Sequence, residues 1–384
     1  MSSLDRRLAT QLDALRQAGL TRTLPRIEHH EGVHYHLDGR PVVGFCSNDY
    51  LGLANHPSFA TLSTNQSGTT ASRLVCGDHP LHRQVERRLA ELAETEDAIL
   101  FPSGFQLNVG ILPALIQASD QVFSDELNHA SLIDGLRLAR ARPQILPHLA
   151  PPPPGSWWIT EALFSMDGDF ADPTILHAHL NNSEDSHLYL DEAHSFFLFN
   201  KYRSPSSLPT GLAGFNNLRP TILVGTLGKS LGCAGAFVAA SSTVCTWLRG
   251  TARSFVYSTG TSPAVAAQIL HALDLVTSPE GYTRRARLWA NVDHLIGRLQ
   301  LQIPELRRSP ILRIIAGANQ TAVALSKALL ERGWHVQAIR PPTVPEGTAR
   351  LRITLSAAHS TQQISAFADD LRALLDLHRI DPSA

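Results

Sequence analysis

Apolar and polar positions alternate along this chain with two distinct periods. Leucines at 4, 8, 12 and 15 fall on one stripe of a helix at the start. Next comes HYHLDGRPVVGF, two short extended runs around Asp38-Gly39, a turn pair that predicts a β-hairpin. From about residue 81 the helical period returns: LHRQVERRLAEL puts Leu81, Val85, Leu89 and Leu92 on one face. Short continuous apolar runs then alternate with longer segments: AILF (98–101), QVFS (121–124), WWIT (157–160), LYLD (188–191), ILVG (222–225) and GAFVA (235–239). Runs of that length predict strands of a mainly parallel sheet covered on both faces, an α/β architecture.

Past about residue 280 the texture changes. Helical ARLWANVDHLIGRLQ precedes strand PILRIIAG, helix TAVALSKALLER closed by Gly333, strand HVQAI, strand RLRIT and a last helix from Thr361. The organisation expected is an N-terminal helix and arm over 1–40, a large α/β domain over 41–280 and a smaller α+β domain over 281–384. Pro151 to Pro154 read as a loop, because apolar strand patterns resume at once.

Composition narrows the function. Across 384 residues, 33 Lys and Arg against 34 Asp and Glu leave a net charge of −1. That balance argues against a nucleic-acid surface and a polybasic membrane patch. An apolar share of 43% with 17% charged residues fits a large buried core. The four cysteines, Cys46, Cys76, Cys233 and Cys245, lack CxxC spacing, so neither a disulfide framework nor a metal site is expected. No apolar signal-peptide centre opens the chain, and the expected location is the reducing cytoplasm. Two weakly charged stretches, Ala98 to Ser119 and Thr221 to Leu248, carry too many Pro, Gly, Asn and Gln, or a central Lys229, to be membrane spans.

Candidate chemistry centres on Gly225-Thr-Leu-Gly-Lys-Ser-Leu-Gly232. Gly228-Lys229-Ser230 ends like a phosphate-binding loop, and Asp191-Glu192-Ala193-His194 resembles an acidic NTPase box. The phosphate loop, however, requires glycine where Leu223 stands. Gly228-Lys-Ser230-Leu-Gly232 also spells GxSxG, but CAGAFVAAS follows where a hydrolase elbow needs a helix. A third reading uses all the pieces. A lysine inside an apolar segment is costly unless neutral, paired or covalently engaged. A Schiff base to pyridoxal 5'-phosphate would engage Lys229. Asp191, ending LYLD, would keep the pyridine nitrogen protonated. Ser103-Gly104-Phe105, where a strand turns into a helix, would cradle the phosphate, and Asn128-His129-Ala130-Ser131 offers a stacking partner.

These residues resemble the α-oxoamine synthases, pyridoxal-phosphate enzymes of fold type I. The resemblance runs nearly end to end, through SNDYLGL (47–53), SRLVCGDHPLH (72–82), FPSGFQLN, DELNHASLIDG, TEALFSMDGD, LDEAH, TLGKSLG, VYSTGTSP and RPPTVPEGTARLRITLSAAH. It implies the following roles. Lys229 resembles the Schiff-base lysine, Asp191 the pyridine partner, His194 the residue bonding the ring hydroxyl and His129 the residue stacked on the ring. Gly104 and Phe105 resemble cofactor-loop residues, and Ser165 and Thr226 match cofactor hydrogen-bonding positions. Ser258 and Thr259 are similar to residues that reach the phosphate of a neighbouring subunit, which implies a homodimer with shared sites. Arg352 resembles the amino-acid carboxylate clamp, and Thr343 and Arg22 match substrate-contacting positions.

The C-terminal motif most resembles the branch that condenses L-alanine with a pimeloyl thioester, on CoA or an acyl carrier protein, in biotin biosynthesis. The alternative within the family is glycine with a short acyl-CoA. Two departures stand out. SFFLFNKYRSPSS follows LDEAH in place of a glycine-rich turn, and the stretch from Ala130 to Trp157 is short.

Overall fold

The computed structural model describes residues 1–17, 20–21, 24–62, 66–198, 215 and 217–382. Among these described residues are fourteen strands, β1 (Ile27–Glu31), β2 (His34–Leu37), β3 (Arg40–Gly44), β4 (Asp97–Phe101), β5 (Val122–Asp125), β6 (Gln144–Leu146), β7 (Trp157–Glu161), β8 (His187–Asp191), β9 (Ile222–Thr226), β10 (Ala236–Ala240), β11 (Ile311–Gly317), β12 (Trp334–His335), β13 (Gln337–Ile339) and β14 (Ala349–Thr354). A seven-stranded sheet in the order β4-β10-β9-β8-β7-β5-β6 forms the centre. Strands β9, β8, β7, β5 and β6 are mutually parallel, while β10 runs antiparallel to both neighbours. The architecture is α/β, and the six apolar runs from 98 to 239 each form one of these strands.

Successive residues of these strands feed two separate cores. Leu188, Leu190 and Leu223 pack on one face, and Tyr189, Ile222 and Val224 on the other. A two-residue side-chain period with both faces covered explains why the runs are continuously apolar. The second face is covered by the helices Gly104–Leu115 and Ala130–Leu138. Gly135 makes that close packing feasible: a Cβ there would stand 2.7 Å from the carbonyl oxygen of Asn108.

The Asp38-Gly39 hairpin forms, with φ of 50° and 82° at its two turn residues. HVQAI, expected as one strand, splits at Val336. Residues 334–335 pair with β3 in a four-stranded sheet, and 337–339 pair with β14 in a three-stranded one. Val336 itself is fully buried. The leucine stripe lies on the helix Ser3–Gln17, none of whose residues is buried. Among the described residues no helix is long and apolar enough to cross a membrane.

Candidate active site

Three parallel strands end side by side in polar residues. Glu161 closes β7, Asp191 closes β8 and Thr226 closes β9. Each sits two positions beyond a residue of the second core, Ile159, Tyr189 and Val224, so all three face the helix Gly104–Leu115. The carboxyl ends of parallel strands are where open α/β sheets place ligands. Here they frame a cavity of about 190 Å³ lined by Gly104, Phe105, Asn108, His129, Ser131, Glu161, Asp191, Ala193, His194, Thr226 and Lys229 among others.

Each wall is built by a local device. Ser103 caps the helix Gly104–Leu115 by accepting from the Gln106 amide (3.2 Å). The amides of Gly104 and Phe105, in the first turn, have no intrahelical carbonyl to meet and lie at the positive end of the helix dipole. His129 caps the next helix by accepting at Nδ1 from the Ser131 amide (3.2 Å). Asp191 accepts from the Ala193 amide at Oδ1 (2.9 Å) and from Asn108 Nδ2 at Oδ2 (3.0 Å).

Lys229 occupies the turn between β9 and β10. That turn is closed by Leu227 N–H to the Gly235 carbonyl, Cys233 N–H to the Leu227 carbonyl and Gly232 N–H to the Lys229 carbonyl. Gly232 is left-handed, with φ of 67°, and a Cβ there would stand 2.4 Å from the Ala54 amide nitrogen. The SNDYLGL segment is thus pressed against the lysine turn.

Lys229 Nζ lies 2.7 Å from His194 Nε2, and His194 Nδ1 lies 2.6 Å from the Tyr50 hydroxyl. Burial, then the charges of Lys229 and Arg352, hold His194 well below the usual histidine range, which favours the neutral ring. Burial lowers the Lys229 amine to about 8, against the opposing pull of Asp191 and Glu161. Burial first, and the charge of Asp191 second, push Glu161 up to about 8. Glu161 accepts from the His129 amide at 2.6 Å.

Of the residues singled out in the sequence, Gly104, Phe105, His129, Asp191, His194, Thr226 and Lys229 line this one cavity. Arg352 is buried beside it on β14. Its Nε donates to the Ser165 carbonyl (2.5 Å), and Nη2 donates to Asn48 Oδ1 (3.1 Å). Ser165 therefore touches the arginine, and it is not among the cavity residues. Thr343 lines a different groove of about 820 Å³, between Leu12, Leu15, Leu24, His335 and Arg340. Ser258 and Thr259 lie outside both cavities, with Thr259 bridged to Ser72. Arg22 lies outside the described residues, as do 199–207 of the unusual stretch after His194. The described part of that stretch, Ser195 to Leu198, still turns, and Phe196, Phe197 and Leu198 bury themselves in the first core where a glycine-rich turn was expected.

Sequence reasoning gave no role to Glu161, Asn108, Ser131 or Tyr50. A signal for Glu161 exists: WWITE and LYLD are neighbouring strand patterns that both end in a carboxylate. Asn108 and Tyr50 carry no such signal, because only the packing of distant segments brings Asn108 to Asp191 and Tyr50 to His194.

The family description Aminotransferase class I and II matches residues 40–371. The chain is 39% identical to the 8-amino-7-oxononanoate synthase of Herminiimonas arsenicoxydans, over 95% of this chain and 98% of that protein. It is likewise 39% identical to the enzyme of that name from an Azoarcus species over the full length of both. Among solved structures, serine palmitoyltransferase from Sphingomonas wittichii superposes with a TM-score of 0.83 at 25% identity, covering 98% of each chain. The 8-amino-7-oxononanoate synthase of Francisella tularensis has the same fold, with a TM-score of 0.69 at 24% identity over 88% of this chain and 99% of that one.

Proposed function

Because the chain belongs to the class I and II aminotransferase family and, within it, to the 8-amino-7-oxononanoate synthase group of pyridoxal-phosphate acyltransferases, we propose that it condenses L-alanine with a pimeloyl thioester, releasing carbon dioxide, a free thiol and 8-amino-7-oxononanoate. The observation carrying this reading is the part-buried amine of Lys229 and the buried carboxylate of Asp191 on the walls of one cavity.

The residues fit pyridoxal 5'-phosphate by the chemistry of their donors and acceptors. The cavity wall offers the first-turn amides of Gly104 and Phe105 to a phosphate and Asp191 to a protonated ring nitrogen, while the Thr226 hydroxyl donates to the Gly235 carbonyl (3.1 Å). His129 would lie on the ring's face and His194 against its hydroxyl. When bound, the cofactor supplies an aldehyde that captures an amine and a ring that takes up an electron pair from the α-carbon.

The protein's own groups do the rest. Lys229 Nζ, lowered toward neutrality by burial, is the base that takes the α-hydrogen of alanine and later returns a proton. Arg352 presents a planar fork to the alanine carboxylate, held in place by Ser165 and Asn48. Tyr50 fixes the far nitrogen of His194, so that its near nitrogen is presented to the cavity.

A homodimer would complete the site, with Ser258 and Thr259 reaching the cofactor phosphate of the second copy. Their position outside the cavity supports this, as does the exposure of Leu74, Val75 and Tyr257. The decisive experiment measures thiol release from a panel of acyl-CoAs and carrier-protein thioesters with alanine, glycine or serine. Pimeloyl thioester with alanine should turn over best. A preference for glycine with a short acyl-CoA would favour the alternative family activity, and no thiol release with any pair would overturn the reading.

A further inference from the structure

Asn108 is buried on the helix Gly104–Leu115, one turn below the amides that open the cavity. All its side-chain hydrogen-bonding capacity but one lone pair is used. Its Oδ1 accepts from the Tyr189 hydroxyl (2.6 Å), and its Nδ2 donates to Asp191 Oδ2 (3.0 Å) and to Ser131 Oγ (2.9 Å). Ser131 Oγ, which accepts from that amide, lies 2.8 Å from His129 Nδ1, and because the Ser131 backbone amide makes Nδ1 an acceptor, the hydroxyl hydrogen points there. The Ser131 amide donates to that same nitrogen. A nitrogen receiving two donors carries no proton, so the network assigns the His129 proton to Nε2. Tyr189, Asn108 and Ser131 are all nearly inaccessible to water, which leaves the network without solvent competitors. Gly135 lets the two helices approach closely enough for the Asn108–Ser131 bond.

We propose that Asn108 is a positioning residue that locks Asp191 and His129 into one unit, fixing the carboxylate's orientation on one side and the imidazole tautomer on the other. Its effect on turnover rests on the function proposed above, but the tautomer does not. In that setting the carboxylate meets the ring nitrogen while the imidazole lies on the ring's face, so a single amide sets two contacts to one group. Replacing the amide by an acid reverses the pattern. Asn108→Asp takes both N–H groups away, the Ser131 hydroxyl turns toward the new carboxylate, and His129 loses its shorter bond.

The test labels histidine nitrogens with 15N in the full chain, with and without pyridoxal phosphate, and assigns the His129 pair by its loss in His129→Gln. The wild type should show an unprotonated Nδ1 and a protonated Nε2. Asn108→Asp, which touches no atom of His129, should shift the Nδ1 resonance. It should also lower kcat by about ten- to a hundredfold, the scale of a small misplacement of reacting groups, with KM for alanine within about twofold. A wild-type Nδ1 that is protonated overturns the proposal. So does a folded Asn108→Asp with unmoved His129 resonances and unchanged kcat. Should Asn108→Asp fail to fold, Ser131→Ala and Tyr189→Phe decide: a shifted Nδ1 in both sustains the network, and unmoved resonances in both overturn it. A chain that shows the tautomer and its shift yet condenses no alanine refutes the function and leaves the role of Asn108 standing.

Discussion

Glu161 and Asp191 stand at the same register on adjoining parallel strands, two carboxylates in one cavity wall. Burial disfavours the charged form of Glu161 first, and the neighbouring Asp191 charge adds to it, so Glu161 is pushed up to about 8. Both carboxylates favour the charged form of Lys229, against the burial that disfavours it. The rate of cofactor capture, which needs the neutral amine, should rise as pH passes through about 8 and then level. Glu161→Gln removes one of the supporting charges, so the midpoint should move to lower pH. Rapid-mixing absorbance across pH checks this, and a midpoint that climbs would contradict it.

Asp191→Asn should retain some cofactor, because the helix amides and Lys229 are untouched, yet lose activity by about a hundredfold or more, the scale of removing one preorganised charge. Lys229→Ala should abolish turnover, and borohydride should no longer fix the cofactor to the chain. Peptide mapping of the reduced wild type should find it on residue 229. Fixation at another lysine would displace the whole assignment.

Arg352→Lys keeps the charge but not the fork. Losing one charged hydrogen bond of about 1.5–3 kcal/mol should raise KM for alanine by about tenfold or more, with a smaller change in kcat. Initial-rate measurements over a range of alanine concentrations separate the two. A kcat loss at unchanged KM would place the arginine elsewhere in the reaction.

His148 is clamped between two buried carboxylates. Nδ1 lies 3.0 Å from Asp125 Oδ1, and Nε2 lies 3.1 Å from Asp169 Oδ2. Those two partners outweigh burial and raise the imidazolium to about 10. A folded value above the unfolded one near 6.5 means that the stabilisation is complete below about 6.5 and is lost as pH rises through about 10. His148→Leu should cost about 3 kcal/mol at neutral pH, since it strands two buried acids. Denaturant titrations at pH 6 and pH 10 should show the gap between wild type and variant narrowing at the higher pH.

Gly232→Ala should be far more disruptive than its size suggests. The left-handed backbone costs about 1 kcal/mol for any side chain, and the new methyl would meet backbone, not a yielding side chain. Thermal melting should drop by several degrees, and cofactor capture should slow because the lysine turn must shift. An unchanged melt would show that the SNDYLGL segment moves away at little cost.

The central strands were legible because burial on both faces writes continuous apolar runs, and Asp191 at the end of one run and Lys229 between two others are conspicuous, whereas Glu161, placed like Asp191, was passed over. The break at Val336 was not legible, since five apolar and polar residues cannot reveal that two sheets compete for one segment. Likewise hidden was the isolation of the N-terminal leucine stripe from the core of its own chain, because periodicity reports an apolar face but not what covers it. Asn108 reads as an ordinary helix position; only its three partners, from β8 and the helix Ala130–Leu138, show otherwise.

The antiparallel pairing of β9 with β10 pins both flanks of the segment that carries Lys229. A lysine on an open loop could drift off with its main chain once displaced by an incoming amine. This one is tethered like a pendulum with a fixed pivot, free only in its own four methylenes. Under the proposed function, an amine held this way would remain within reach of the substrate's α-carbon, so the group that holds the cofactor would also be the one that collects the proton.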